Sequence, residues 1–122
     1  MFASAVYVKI YKDRFWARHI QSGTTSEVRP ARQVSTSRML IGDFTTADKT
    51  LKELVSKVAK RGLFSVSPEV LIQPMEMNEG GLSQVEERLL PELAYGSGAR
   101  KAKVYDGIEL SDDGVLNRLS GK

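Results

Sequence analysis

The stretch Gly80–Gly107, GGLSQVEERLLPELAYGSGARKAKVYDG, sets the reading of the chain. Ser83 and Glu86 stand at the spacing of a capping box, in which a hydroxyl and a carboxylate each take an amide N–H that a helix start leaves bare. Val85, Leu89, Leu93 and Ala94 then recur at helical spacing. Pro91 falls inside that run. In a regular helix interior it removes one hydrogen bond and crowds the preceding turn at a cost of about 3 kcal/mol, so a kink, or a restart with Pro91 in the first turn, is expected. Gly96 and Gly98 close the helix, and RKAKVYDG (100–107) follows as a strand. A helix delivered to a strand in this way is half of a crossover between parallel strands.

Upstream, SPEVLIQPM (67–75) is a short apolar strand buried on both sides. Before it, TTADKTLKELVSKVAKRG (45–62) carries Ala47, Leu51, Leu54, Val55 and Val58 on one helical stripe, with Thr45 and Asp48 as a box-like start and Gly62 as the stop. The first third reads as strands instead. AVYVKI (5–10) alternates, with Val6, Val8 and Ile10 on one face and Tyr7 and Lys9 on the other. A turn at Lys12–Asp13 leads to RFWARHI (14–20). After QSGTTS (21–26), EVRPARQV (27–34) is a third strand that Pro30 restricts to a sheet edge. The order is β-β-β-α-β-α-β: an antiparallel meander continued by two crossovers into a mixed five-stranded sheet, with expected strand order 3-2-1-4-5. That is an α/β, ribonuclease-H-like arrangement. Residues 1–107 form the domain, and 108–122 form a tail with loose ends and at most a last turn of helix.

Composition bounds the function. The 122 residues carry no cysteine, which excludes disulfides, thiolate metal sites and cysteine nucleophiles. No apolar run approaches the roughly 20 residues of a membrane span, and the N-terminus lacks the pattern of a signal peptide, so a cytoplasmic location is expected. Residues 1–40 hold seven Lys/Arg against two acids, a net +5, while the remainder is −2. A basic half attracts nucleic acid, anionic lipid or an acidic partner. The absence of basic clusters interleaved with stacking aromatics disfavours nucleic acid.

The segments RMLIGDFTTADKTLKELV (38–55) and SPEVLIQPM through KVYDG resemble the N-terminal part of the bacterial actin MreB family. The resemblance rests on Ile41, Asp43 and Phe44; on Pro68, Val70 and Pro74; on Val85, Glu86 and Arg88; and on Glu92, Ala94, Gly98, Ala99 and Arg100. It covers about residues 38–107 and implies an actin-like ATPase half-domain. In that family the first hairpin carries a D-x-G-T-x-N-T-type loop that holds phosphate. The corresponding YVKIYKDRFWA (7–17) has no glycine, serine or threonine, and no second phosphate loop follows the last strand. Glu86 matches the family residue that positions the attacking water, but without the phosphate loops its reading here is the helix cap.

Other chemistry finds little support. A ribonuclease-H-like nuclease needs an acid on the first strand, and Asp43, Glu76 and Glu79 have no partner there. His19 is the one histidine, and a lone strand histidine is a poor metal site. Gly80–Gly81 ahead of the second helix reads as a loop, because Glu76 and Glu79 would repel an anion there. The expectation is therefore a non-enzymatic protein-interaction module related to bacterial actins, in the cytoskeletal, cell-shape or division apparatus, with no cofactor, metal or catalytic residue. Its partner would be a protein, a bacterial actin filament, or a second copy paired through a sheet edge. Candidate contact residues are Phe15, Trp16, Arg29, Arg32 and Met77, with Phe64 and Met75 weighed beside them. Two alternatives stay open: a nucleotide-binding protein that completes an actin-like cleft with a second chain, and a nucleic-acid binder using the basic half.

Overall fold

Strand β1 (Ala5–Tyr11) is hydrogen-bonded on both sides and buried on both faces from Ala5 to Ile10. It lies antiparallel to β2 (Arg14–His19) and parallel to β4 (Glu69–Pro74). Strand β3 (Thr25–Val28) adds antiparallel to β2, and β5 (Lys101–Val104) adds parallel to β4. The sheet order is β3-β2-β1-β4-β5. Helix α1 (Phe44–Val58) connects β3 to β4, α2 (Gln84–Gly96) connects β4 to β5, and α3 (Asp112–Leu119) closes the chain. This computed structural model describes residues 4–59, 67–77 and 83–121. Gly62, Phe64, Glu79 and Gly80–Gly81 lie outside the described residues.

Strand alternation divides the core in two. Val6, Val8 and Ile10 of β1 join Phe15, Ala17, Val70 and Ile72 on one face, under Leu51, Leu54, Val55 and Val58 of α1 and Leu90, Leu93 and Ala94 of α2. Ala5, Tyr7, Ile20 and Leu71 face the other way and pack on Val115 and Leu119 of α3.

Several expectations are corrected. Helix α1 is capped by Asp43 rather than by a box at Thr45: Asp43 is extended, with φ −111°, and its carboxylate accepts from the N–H and hydroxyl of Thr46 at 3.0 and 2.8 Å. Asp48 sits inside the helix and pairs with Lys52. The third strand lies earlier than 27–34, because the chain leaves the sheet after Val28 and carries Val34 and Ser35 to the Asp13 turn. Pro30 is therefore outside the strand. In α2 the buried stripe is Leu90, Leu93 and Ala94, while Val85, in the exposed first turn, is 57% exposed. The helix runs through Pro91, and its start is the Ser83–Glu86 capping box. Gly98, with φ 104°, takes the chain out of α2 into β5.

The segment read as a loose tail is fastened across the second face of the sheet. Gln73 Nε2 donates to the Gly107 carbonyl at 2.7 Å, and Leu110 N–H donates to the Tyr7 hydroxyl at 3.2 Å. The Tyr7 hydroxyl in turn donates to Gln73 Oε1. Lys9 Nζ meets Glu109 at 2.6 Å and stands 4.0 Å above the centre of the Trp16 ring. Arg18 grips Asp112 with two bonds of 3.0 Å, and Ser111 caps α3.

Leu119→Ala is expected to cost about 2–4 kcal/mol, as deletion of a buried leucine side chain does, while Ile108→Ala, 86% exposed, stays within about 0.5 kcal/mol. Urea unfolding of the two variants checks this, and equal stabilities would mean that α3 is not part of the core.

Candidate interaction groove and the closed hairpin tip

The β1–β2 turn is tight: Tyr11 pairs with Arg14, leaving Lys12 and Asp13 as the loop. Asp13 has φ 54°, in the left-handed region that Asp tolerates better than most residues. Its Oδ1 accepts the N–H groups of Val34 and Ser35 at 2.7 and 2.9 Å, and its Oδ2 accepts the Ser35 hydroxyl at 2.6 Å. Glu76, just beyond β4, accepts the Lys12 N–H at 2.6 Å. At the hairpin tip the amides of Lys12, Val34 and Ser35 are thus held by the chain's own carboxylates. Burial opposes ionisation of Asp13, but the hydrogen bonds from Ser35 and Val34 outweigh it and hold the carboxyl below its ordinary range.

The residues read from sequence as contacts separate in the structure. Phe15 is fully buried opposite Ile10, because its side of β2 faces α1, so it is core and not a contact. Trp16 points to the other face, edge-on to Tyr7 and under the Lys9 ammonium, and is half-covered. Met77, with φ 57°, packs partly buried against the main core. His19 ties the start of β1 to the β2–β3 turn, with Ser4 Oγ 2.8 Å from Nε2 and Ser22 Oγ 2.7 Å from Nδ1. Burial pushes its pKa down.

Arg29 and Arg32 come together. They line a groove of about 540 Å³ with Val28, Thr46, Lys49 and Glu53, between the end of β3 and the first half of α1. A smaller groove of about 150 Å³ extends it along Ser26, Val28, Thr50, Leu54 and Lys57. Sequence reasoning found the arginines but missed Lys49 and Lys57. Their i, i+8 spacing on the solvent side of α1 is legible, but only the packing of α1 beneath β3 makes them the wall of a groove.

The outer edge of β3 pairs with no other described strand. His19 N–H donates to Thr24 O at 2.8 Å, which fixes which cross-strand pairs exchange hydrogen bonds. In an antiparallel ladder these alternate, so Ser26 and Val28 bond to β2 while the N–H and C=O groups of Thr25 and Glu27 point outward.

The arrangement is a mixed five-stranded α/β sheet with α1 and α2 on one face and α3 on the other. The ethanolamine utilization protein EutJ from Carboxydothermus hydrogenoformans shares it with a TM-score of 0.59 at 13% identity, over 87% of this chain and 37% of EutJ. That likeness is one of fold, and the chain spans little more than a third of EutJ's length. Across 128 aligned positions the chain is 34% identical to the uncharacterized protein YjaA of Escherichia coli (strain K12), covering 98% of this chain and 99% of that protein. The chain belongs to the YjaA family. No protein-family model matches it, and among the described residues no helix is long and apolar enough to cross a membrane.

Asp13→Ala is expected to destabilise the fold by about 2–4 kcal/mol, since it strips the partner from two amides and a hydroxyl. Because the folded pKa of Asp13 is depressed, its contribution is present above the ordinary carboxylate pKa of about 3.9 and lost as pH falls through the folded value. Asp13→Asn keeps the backbone preference and removes the titration, so its stability should fall less steeply with acid than that of the parent chain in urea melts between about pH 5 and 2. Parallel curves would contradict the assignment.

Proposed function

We propose that the chain is a non-catalytic protein-binding module built on an actin-like half-domain. The observation that carries this reading is the closed hairpin tip. Asp13 and Glu76 hold the N–H groups of Lys12, Val34 and Ser35, which places negative charge where a nucleotide phosphate would have to approach. The edge of β3, which pairs with no other described strand and has a groove beside it, supplies a surface for another chain. The resemblance of residues 38–107 to MreB makes a bacterial actin subunit the first partner to try, with a setting in the cytoskeleton, cell shape or division.

The melting temperature of the chain is expected to be unchanged by millimolar Mg-ATP. A ligand present at about 100 times its Kd would stabilise by about 2.7 kcal/mol, which a thermal scan resolves as several degrees. Such a rise would overturn the module reading in favour of a nucleotide site, including one completed by a second chain. A steeply salt-dependent affinity for DNA or RNA would instead favour nucleic-acid binding.

A further inference from the structure

We infer that the β3 edge and its groove take an extended acidic segment of a partner protein, added as a sixth strand to the sheet. The inference rests on the protein-binding reading and names the partner's chemistry. An edge strand recognises an extended segment through main-chain hydrogen bonds and distinguishes it by side chains at alternate positions. Thr25 and Glu27 supply outward N–H and C=O groups for the first part.

The second part is set by α1. Proceeding from Ser26 to Arg32 along one wall of the groove, the other wall runs from Lys57 back to Thr45, so an added strand would follow both. Lys49, Glu53 and Lys57 form one row along the exposed side of the helix, about 6 Å apart. Alternate residues of a strand are about 6.7 Å apart. Successive side chains on the α1 side of the added strand would therefore meet Lys57, Glu53 and Lys49 in turn, then Arg29.

Charge decides what those side chains are. Arg32 is committed to Asp43 at 3.3 Å and Glu27 to Arg14 at 3.4 Å. Among the described residues Arg29, Lys49, Lys57 and Glu53 make no ion pair with one another or with any neighbour. The groove thus offers three uncommitted cations against one anion. The short strand, its Glu27 and the nearby Pro30 are devices that discourage indiscriminate edge pairing, which leaves charge to select the partner. A second copy of this chain fits less well, because two β3 edges would bring their cations together.

The test uses the full chain, labelled with 15N, and a short capped peptide of alternating Thr and Glu at low ionic strength, with the Thr-Lys peptide as control. The expected result is saturable amide shifts confined to residues 25–32 and 45–57 with the Glu peptide and none with the Lys peptide. Lys49→Glu with Lys57→Glu should weaken binding by about tenfold. Thr25→Pro removes only an outward N–H, so the bond pattern to β2 survives while an added strand loses a partner. It should also weaken binding, with the melting temperature showing that the variant folds. No shifts with the Glu peptide, shifts elsewhere on the chain, equal response to the Lys peptide, or binding indifferent to Thr25→Pro would each overturn the assignment. A dimer in solution that Thr25→Pro dissolves would overturn it in favour of a second copy. Those failures leave the protein-binding module standing. Only the Mg-ATP or nucleic-acid result removes both.

Discussion

Everything in this fold is arranged around a strand that has no exposed side. Strand β1 is paired by β2 and β4 and covered on both faces, so each of its alternate residues needs a different solution. Val6, Val8 and Ile10 are met by α1 and α2, an ordinary apolar contact worth about 1.5–3 kcal/mol per side chain. Tyr7 and Lys9 are the harder half. A lysine whose side chain is only 9% exposed is costly unless its ammonium is paired. Glu109, the Trp16 ring, Gln73 and the Leu110 amide provide the partners, and all but Trp16 and Gln73 come from the C-terminal segment. The segment after β5 is therefore what allows β1 to be central, and the Arg18–Asp112 pair and α3 hold it in place.

The same sheet has two ends of different character. At the β1–β2 hairpin tip the amides of Lys12, Val34 and Ser35 are already engaged by Glu76 and Asp13. At the β3 edge the outward backbone groups pair with no other described strand, the adjacent helix carries a row of charges, and the loop after the strand adds Arg29 and Arg32. The architecture that this chain shares with EutJ is a matter of topology, and function follows from which of these surfaces is available.

Much of the architecture was legible because the signals are local. The Ser83–Glu86 box, the α1 stripe and the alternation in AVYVKI each depend on residues a few positions apart. What escaped depends on contacts between distant residues. The tail reads as loose because its apolar residues, Ile108, Leu110, Val115, Leu116 and Leu119, are scattered through a polar stretch, and only the meeting of Val115 and Leu119 with Tyr7 and Leu71 gives them weight. Phe15 looked like a contact because strand parity does not say which face is covered. Met77 reads as a contact among acidic neighbours, yet part of its side chain packs against the core. Of the site, the arginines were visible and the lysines opposite them were not, since a groove has two walls and the sequence presents them about 20 residues apart.

Residue-resolved amide hydrogen exchange tests the central claim, a sheet closed at its hairpin tip and open at its β3 edge, most directly. The account predicts protected amides at Lys12, Val34 and Ser35 although they lie outside the strands, protected Ser26 and Val28, and freely exchanging Thr25 and Glu27. Loop-like exchange at Val34 and Ser35 together with protection at Thr25 and Glu27 would contradict it, because the tip would then be the open surface and the edge the closed one.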